Sequence, residues 1–249
     1  MQIKCYIINK IIPLKSEKIG PFRIEGFTYE SINTLFKEIF FRGIYMFESD
    51  RKDPVILDCG ANIGAATLYF KWLYPDSKIY SFEPDKETYK KLSENISRNK
   101  LKNVFLYNKA IHNTNKQLIF YVDKETAGSL GMSLNKSDLL KKKIIVQSVR
   151  LSEFLNFRVD FMKMDIEGAE IEVISDLCST KKINKINEMI IEYHHSRPKK
   201  RSELGAFLRD LDDLGWNYTV NAFCIPLNQR NISQDLLIYC YRRKQRLTR

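Results

Sequence analysis

Residues 55–68 read Val-Ile-Leu-Asp-Cys-Gly-Ala-Asn-Ile-Gly-Ala-Ala-Thr-Leu, and few architectures accommodate such a run. Three apolar residues make a short buried strand, Asp58 closes it, Gly60 and Gly64 permit a tight turn, and Ala65 begins a helix. Glycine has no Cβ, so it accepts positive φ and lets a ligand approach the main chain. The run therefore predicts a strand-turn-helix unit whose turn receives a nucleoside. Dinucleotide-binding turns use Gly-x-Gly-x-x-Gly and seat a pyrophosphate on the helix N-terminus. Here Asn62 stands at the middle glycine and Asp58 adds negative charge, which favours a cationic ligand.

The following segments extend the pattern. Residues 78–82 read as a second strand that ends at Glu83-Pro84. That is about 20 residues after the turn, the interval at which nucleotide folds place a ribose-binding acid. A carboxylate there accepts both ribose hydroxyls, and Pro84 stops the strand where the acid is presented. Helices over 65–74 and 86–99 and a strand over 104–107 continue the alternation, which argues for a parallel sheet covered by helices on both faces. Residues 117–122 and 144–149 read as extra strands around a loop containing Gly128-Ser129. Alternation resumes over 160–164, 169–177, 187–192 and 202–214, and closing strands at 216–220 and 235–241 flank a stretch containing Pro226. Before all of this, residues 31–41 predict a helix and residues 43–47 an extended piece. Residues 1–50 are thus expected to form a cover over the sheet, and residues 51–249 a single catalytic domain.

A chain of 249 residues buries a full core without disulfides. No apolar run reaches the roughly 20 residues needed to span a bilayer, and the first residues lack the apolar core of a signal peptide. Cys5, Cys59, Cys178, Cys224 and Cys240 form no Cys-x-x-Cys pair, which fits reduced thiols in the cytoplasm and argues against structural zinc. Cys59 reads as a small apolar filler rather than a nucleophile. The net charge of +11 raises the question of nucleic acid. The basic runs at 141–143, 197–201 and 242–246 are dispersed, however, and no aromatic residues alternate with them as a stacking platform requires. An anionic small acceptor suits this surface better.

Residues 161–170, Phe-Met-Lys-Met-Asp-Ile-Glu-Gly-Ala-Glu, repeat the logic of the first run: a buried strand delivers acids at its end, and a glycine and a helix follow. In open α/β sheets ligands bind outside the carboxyl ends of strands, so Asp58, Glu83 and Asp165 are expected to converge on one crevice. Carboxylates gathered in this way are costly unless a cation accompanies them. Helix N-capping accounts for one of them, not for the set. His194 and His195 adjoin at a later strand end, and adjacent strand residues face opposite ways, so at most one enters the crevice.

Asp58-x-Gly60-x-Asn62-x-Gly64, Glu83-Pro84 and the run from Lys163 to Glu170, in this order and spacing, resemble the FkbM family of S-adenosylmethionine-dependent methyltransferases. The resemblance covers about residues 40–195, with Tyr45, Gly128-Ser129 and Glu192-Tyr193-His194 included. It implies a Rossmann-like class I fold, a seven-stranded, mostly parallel sheet with an antiparallel last strand and helices on both faces. It implies S-adenosylmethionine as cofactor, whose sulfonium an acidic crevice favours. By resemblance Gly60, Asn62 and Gly64 line the methionine and ribose side, Glu83 with Pro84 holds the ribose, and Asp58 orients the turn or the amino group. Asn108 and Ala110 would border the adenine, and Asp165 joins the cofactor set.

The family mostly methylates hydroxyl oxygens of sugars and natural products, so the resemblance implies O-methylation of a carbohydrate or carbohydrate-linked acceptor, as in surface polysaccharide assembly. A hydroxyl is a weak nucleophile that must lose its proton during attack, and Asp165, Glu167 and His194 are the candidate bases. The leading expectation includes no metal. The alternative is that Asp165, Glu167 and His194 ligate Mg²⁺ through a water-rich shell. Two other functional readings stand beside the leading one: RNA methylation, encouraged by the charge, and an S-adenosylmethionine-binding protein without turnover.

Overall fold

The computed structural model of the chain describes residues 15–122, 142–195, 203–222 and 234–242. A hairpin of β1 (Ser16–Ile19) and β2 (Phe22–Glu25) leads into helix α1 (Tyr29–Leu35), which continues as a π-helical turn over Phe36–Phe41. The chain then runs β3 (Val55–Cys59), α2 (Ala65–Leu73), β4 (Lys78–Phe82), α3 (Lys86–Arg98) and β5 (Val104–Tyr107). Next come β6 (Ala110–His112), β7 (Gln117–Val122), β8 (Lys142–Arg150) and the short α4 (Leu151–Phe154). The last part is β9 (Val159–Met164), α5 (Glu170–Ser179), β10 (Ile186–His195), α6 (Leu204–Asp213), β11 (Trp216–Ala222) and β12 (Gln234–Arg242).

Seven strands form one sheet in the order β11-β12-β10-β9-β3-β4-β5. Neighbours from β10 to β5 pair in parallel, whereas β12 runs antiparallel to both β10 and β11. This is the mostly parallel Rossmann-like arrangement with a reversed last strand that the family resemblance implies. From β3 the chain winds outward through β4 to β5 and then returns to the other side of β3 as β9. A doubly wound sheet opens its ligand crevice at such a switch point, here between the carboxyl ends of β3 and β9.

Buried parallel strands carry apolar residues on both faces. On β3 and β9, Leu57 and Met162 join a core that also takes Val173, Leu177 and Phe207 from α5 and α6. Their neighbours Ile56 and Phe161 join a second core on the opposite face, with Leu68 and Phe70 of α2. That second core includes Ile24, Ile32, Ile39, Tyr45 and Phe47, so the N-terminal segment shares the sheet's core. Residues 43–47 are not extended: Met46 N donates to Gly43 O at 2.9 Å in a turn. Phe47 instead turns inward and stacks on Phe161 with ring centroids 4.3 Å apart. The predicted helix over 31–41 begins earlier, because the Thr28 side chain caps it by accepting from Ser31 N at 3.1 Å. Its last part is wound wider, which stacks Phe36 on Phe40 and sets Phe40 edge-on to Tyr69.

Asn95, fully buried on α3, ties the hairpin to the glycine turn. Its Oδ1 accepts from Glu25 N at 2.9 Å, and its Nδ2 donates to Glu25 O and Ile63 O, both at 2.9 Å. Asn95→Leu leaves these main-chain groups without partners, and a buried unsatisfied group costs about 1–3 kcal/mol. A total loss of about 3 kcal/mol in urea unfolding is expected.

β7 pairs antiparallel and β6 parallel with β8, which makes a separate three-stranded sheet from the predicted insertion. Phe120 packs inside it against Ala110 and Val146. Gly128-Ser129, the Pro226 stretch, Lys141, residues 197–201 and 243–246, Cys5 and Cys224 lie outside the described residues. Among the described residues, no helix is long and apolar enough to cross a membrane.

Candidate active site

Beyond β3 the chain turns at Gly60, whose φ is +84°. A Cβ there would lie 1.9 Å from the carbonyl oxygen of Asp165, so only glycine lets the loops after β3 and β9 meet. Asp165 N donates to Cys59 O at 3.1 Å, while Gly60 N and Ala61 N both donate to Phe82 O at the end of β4. Three strand ends are thus stitched together by main chain alone. Asn62 adopts the left-handed conformation that Asn tolerates better than most residues, with φ +50°. Its Oδ1 accepts from Ile63 N at 2.7 Å.

Glu83 is 2% exposed. Its Oε2 accepts from Asn62 N and its Oε1 from Asp85 N, both at 2.9 Å, which fixes the carboxylate's plane. A carboxylate offers about four acceptor positions, so capacity remains for two further donors. Burial pushes the Glu83 carboxyl up to about 8 against the opposing pull of these two amides. A cleft opens beside it, lined by Gly60, Asn62, Glu83, Pro84, Ala110, Asp165 and Glu167 among the predicted residues. Lys109, Ile111 and Phe120 line it as well, the last two contributed by the inserted sheet.

Three predicted residues stand elsewhere. Asp58 is fully buried and points back into the fold, where its Oδ2 accepts from Thr67 Oγ1 at 2.6 Å. Of the two roles the resemblance implies, this geometry fits orienting the turn, which Asp58 anchors to α2. Gly64 caps α2 at φ +96°, and a Cβ there would meet Leu92 Cδ1 at 2.8 Å, so it serves helix packing rather than lining the cleft. The Asn108 side chain donates to the carbonyl oxygens of Glu83 and Pro84 at 2.9 and 3.0 Å, which positions that turn without bordering the cleft. Cys59 is buried, and burial raises its thiol far above the range of a nucleophile.

Lys163 is the residue whose part the sequence reading missed. It lies in a buried strand with its side chain 4% exposed, and its Nζ donates to Gly60 O at 2.5 Å and to Asp165 Oδ2 at 3.2 Å. Asp58 Oδ1 is 3.9 Å away, and the Tyr45 ring centroid 5.5 Å. Burial disfavours the ammonium, but Asp165, Asp58 and Glu192 outweigh it and hold its pKa above the ordinary value. The cation that the gathered acids require is therefore partly built in. A lysine amid Phe161, Met162 and Met164 was the available signal, since a charge in a buried strand must be paired.

Next to the cleft stands a second group. The loop after β9 passes through Glu167 at φ +62° and Gly168 at φ +110°, and Gly168 N donates to Glu170 Oε1 at 2.9 Å. The same oxygen lies 2.9 Å from His194 Nδ1, and Glu167 Oε2 lies 3.4 Å from His194 Nε2. Burial disfavours the His194 cation, yet the Glu170 hydrogen bond and the surrounding carboxylates outweigh it and raise the imidazole's pKa. Burial and the nearby Asp165 raise Glu167, while Asp165 and burial raise Glu192. Asp165, Glu167 and His194 are thus brought together as the sequence predicts, with Glu170 and Glu192 added; the His195 side chain lies outside the described residues.

A family model described as the methyltransferase FkbM domain matches residues 58–218. The chain belongs to the FkbM methyltransferase family. Among curated relatives of this FkbM chain, methyltransferase sdnD of Sordaria araneosa is 30% identical over 56% of the chain and 66% of its own length. The 2-O-methyltransferase NoeI of Sinorhizobium fredii is 27% identical over 51% of the chain and 58% of its own length. Among solved structures, the methyltransferase FkbM of Methylobacillus flagellatus superposes with a TM-score of 0.51 at 15% identity. That match covers 82% of this chain and 48% of the other, and at such identity it shows the fold. The chain spans under two thirds of each of these three proteins.

The cofactor of these enzymes is S-adenosylmethionine, and the cleft fits it. Ala110, Ile111, Phe120 and Pro84 offer apolar walls to a purine, and Glu83 offers a buried, pre-oriented acceptor to a ribose. Asp165 and Glu167 line the same cleft, and their acid groups would favour a cationic cofactor. Ribose hydroxyls donate best to an ionised carboxylate, so binding should expel the proton that Glu83 holds below about pH 8. Affinity for S-adenosylmethionine is then expected to rise from pH 6 to 8, by at most about tenfold per unit. Calorimetry in buffers of different ionisation enthalpy should register the released proton, and Glu83→Gln should flatten the dependence. The same shift predicts that, without cofactor, the Glu83 contribution to stability declines as pH rises from the ordinary 4.5 towards about 8, because the native state binds the extra proton.

Proposed function

We propose that the protein transfers the methyl group of S-adenosylmethionine to a hydroxyl oxygen of a carbohydrate or carbohydrate-linked acceptor, in the cytoplasm, during glycoconjugate or surface polysaccharide assembly. The observation that carries this reading is the carboxylate and imidazole group of Asp165, Glu167, Glu192 and His194 beside the cofactor cleft. The cofactor supplies a methyl group activated by the positive charge on sulfur. The acceptor oxygen bonds to the methyl carbon as the carbon-sulfur bond gives its electron pair to sulfur, and the hydroxyl proton must pass to a base. A gathering of carboxylates supplies such a base and hydrogen-bond acceptors that align the hydroxyl for in-line attack.

Oxygen as the receiving atom is supported by the similarity to a protein named 2-O-methyltransferase. The net charge of +11 suits an anionic acceptor such as a nucleotide-linked or phosphorylated sugar. We place the N-terminal segment as the cover of the acceptor end, since Tyr45 reaches Lys163 at the mouth of the sheet.

Asp165→Asn keeps the side chain's size but removes its charge. It is expected to lower kcat by about 100-fold, within the usual range of general-base effects, with little change in S-adenosylmethionine affinity. A panel of nucleotide-sugars and lipopolysaccharide or capsule precursors, assayed with labelled cofactor, tests the acceptor class. Transfer to RNA with steep salt dependence, and to no carbohydrate, would replace this reading with nucleic-acid methylation.

A further inference from the structure

We propose that Glu192 is the base that takes the acceptor's proton, while Lys163 and His194 are built-in cations that occupy the neighbouring acids. That the proton comes from a hydroxyl rests on the O-methyl reading above. Alternation along β10 puts Glu192 on the same face as Ile190, which shares its core with Tyr45 and Ile39 of the N-terminal segment. Ile191 pairs with Met164 on the parallel strand β9, so the next residues, Glu192 and Asp165, leave the sheet side by side at its carboxyl end. Glu192 is half-buried and is not among the residues that line the cofactor's cleft, whereas Asp165 is. A base for a second molecule belongs in such a place, next to the cofactor's cleft and open to what approaches it.

The other acids are already engaged. Lys163 Nζ donates to Asp165 Oδ2 at 3.2 Å. Glu170 Oε1 and Glu167 Oε2 lie 2.9 and 3.4 Å from the two ring nitrogens of His194, and only an imidazole protonated at both donates to both. A doubly protonated ring has no lone pair to offer, which takes His194 off the list of bases and makes it the clamp on Glu167 in the cleft wall. Asp235 on β12 is exposed, where water competes for a hydroxyl. Glu192, by contrast, has neither a hydrogen bond nor an ion pair among the described residues, although one of its oxygens comes within 4.8 Å of ligand atoms of His194 and Asp235. The charge of Asp165, and then burial, push its carboxyl up to about 8 against the pull of His194 and Lys163. A base of that strength suits neutral pH. In the step, a lone pair of the acceptor oxygen bonds to the methyl carbon, the carbon-sulfur pair goes to sulfur, and the O–H proton goes to a Glu192 oxygen, which returns it to solvent. Asp165→Asn then slows transfer by making Glu192 a weaker base.

Glu192 is not among the bases expected from sequence, because only the pairing of β10 with β9 brings it to Asp165. The test uses the whole chain with ¹³C-labelled glutamate carboxyls, the Glu192 resonance being the one missing from Glu192→Gln. That resonance is expected to titrate near 8, to move down in Asp165→Asn and to move up in His194→Gln, as the two charges dictate. Cooperative urea unfolding certifies that each variant is folded. With a carbohydrate acceptor, Glu192→Gln is expected to lower kcat at least about 100-fold, to keep S-adenosylmethionine affinity, and to abolish the rise in kcat between about pH 6 and 8. A Glu192 carboxyl titrating near the ordinary 4.5, or a Glu192→Gln rate within about threefold of wild type, overturns the proposal. If that undiminished rate still places the methyl group on oxygen, Glu192 falls and the O-methyl reading stands. If Glu192 titrates as expected and Glu192→Gln silences transfer, yet the methyl group is found on nitrogen, Glu192 stands as the base and that reading falls.

Discussion

Glu83→Ala is expected to weaken S-adenosylmethionine binding by about a hundredfold, equivalent to about 3 kcal/mol. The wild-type carboxylate is already aligned by Asn62 N and Asp85 N, each 2.9 Å away, so it meets two ribose hydroxyls without reorganising. Hydrogen bonds to a charged group contribute about 1.5–3 kcal/mol each, and both are lost together. The truncation also releases the Asn62 amide, loosening the turn that forms the cleft's floor. The folded state should survive, because burying a carboxylate whose pKa is raised to about 8 costs stability that alanine no longer spends. Calorimetric titration of the variant checks this. An affinity within about threefold of wild type would remove Glu83 from the ribose site.

Lys163→Met is expected to cost about 3–5 kcal/mol of stability, the range for removing one partner of a buried ion pair. Asp58 Oδ1 is buried with no hydrogen-bond partner, and Lys163 is the cation that accompanies it. Gly60 O loses a donor in the same change, and Asp165 loses a partner. Methionine replaces the volume of the side chain but none of these interactions. Arginine should rescue poorly, since a forked guanidinium has no room where the lysine side chain is 4% exposed. Urea unfolding measures the loss; a value below about 1 kcal/mol would class the lysine with surface pairs.

These two residues show how far sequence could be read. The place of Glu83 at the cleft was legible because local signals agree: a strand, a proline that ends it, and the interval after a glycine turn. The β3 turn and the run from Lys163 to Glu170 were legible for the same reason, and together they predicted the doubly wound sheet and its crevice. Lys163 and Gly60 were not legible as a pair, since they are 103 positions apart and meet only when β9 lies beside β3. Asp58 was assigned to the crevice although it turns inward, because a strand-terminal acid can point to either side of its turn and Thr67 decides which. Gly64 looked like part of a ligand loop, while its constraint is Leu92 on α3. The turn at residues 43–47 followed from packing on Phe161, which outweighs local strand preference.

The central claim, that this cleft delivers a methyl group to oxygen, is tested most directly by NMR of the product formed with S-adenosylmethionine carrying a ¹³C methyl group and a carbohydrate acceptor. The account predicts a labelled methyl carbon attached to oxygen, formed by wild type and reduced about 100-fold in rate by Asp165→Asn. A label on nitrogen or on carbon, or a rate unchanged by that substitution, would contradict it.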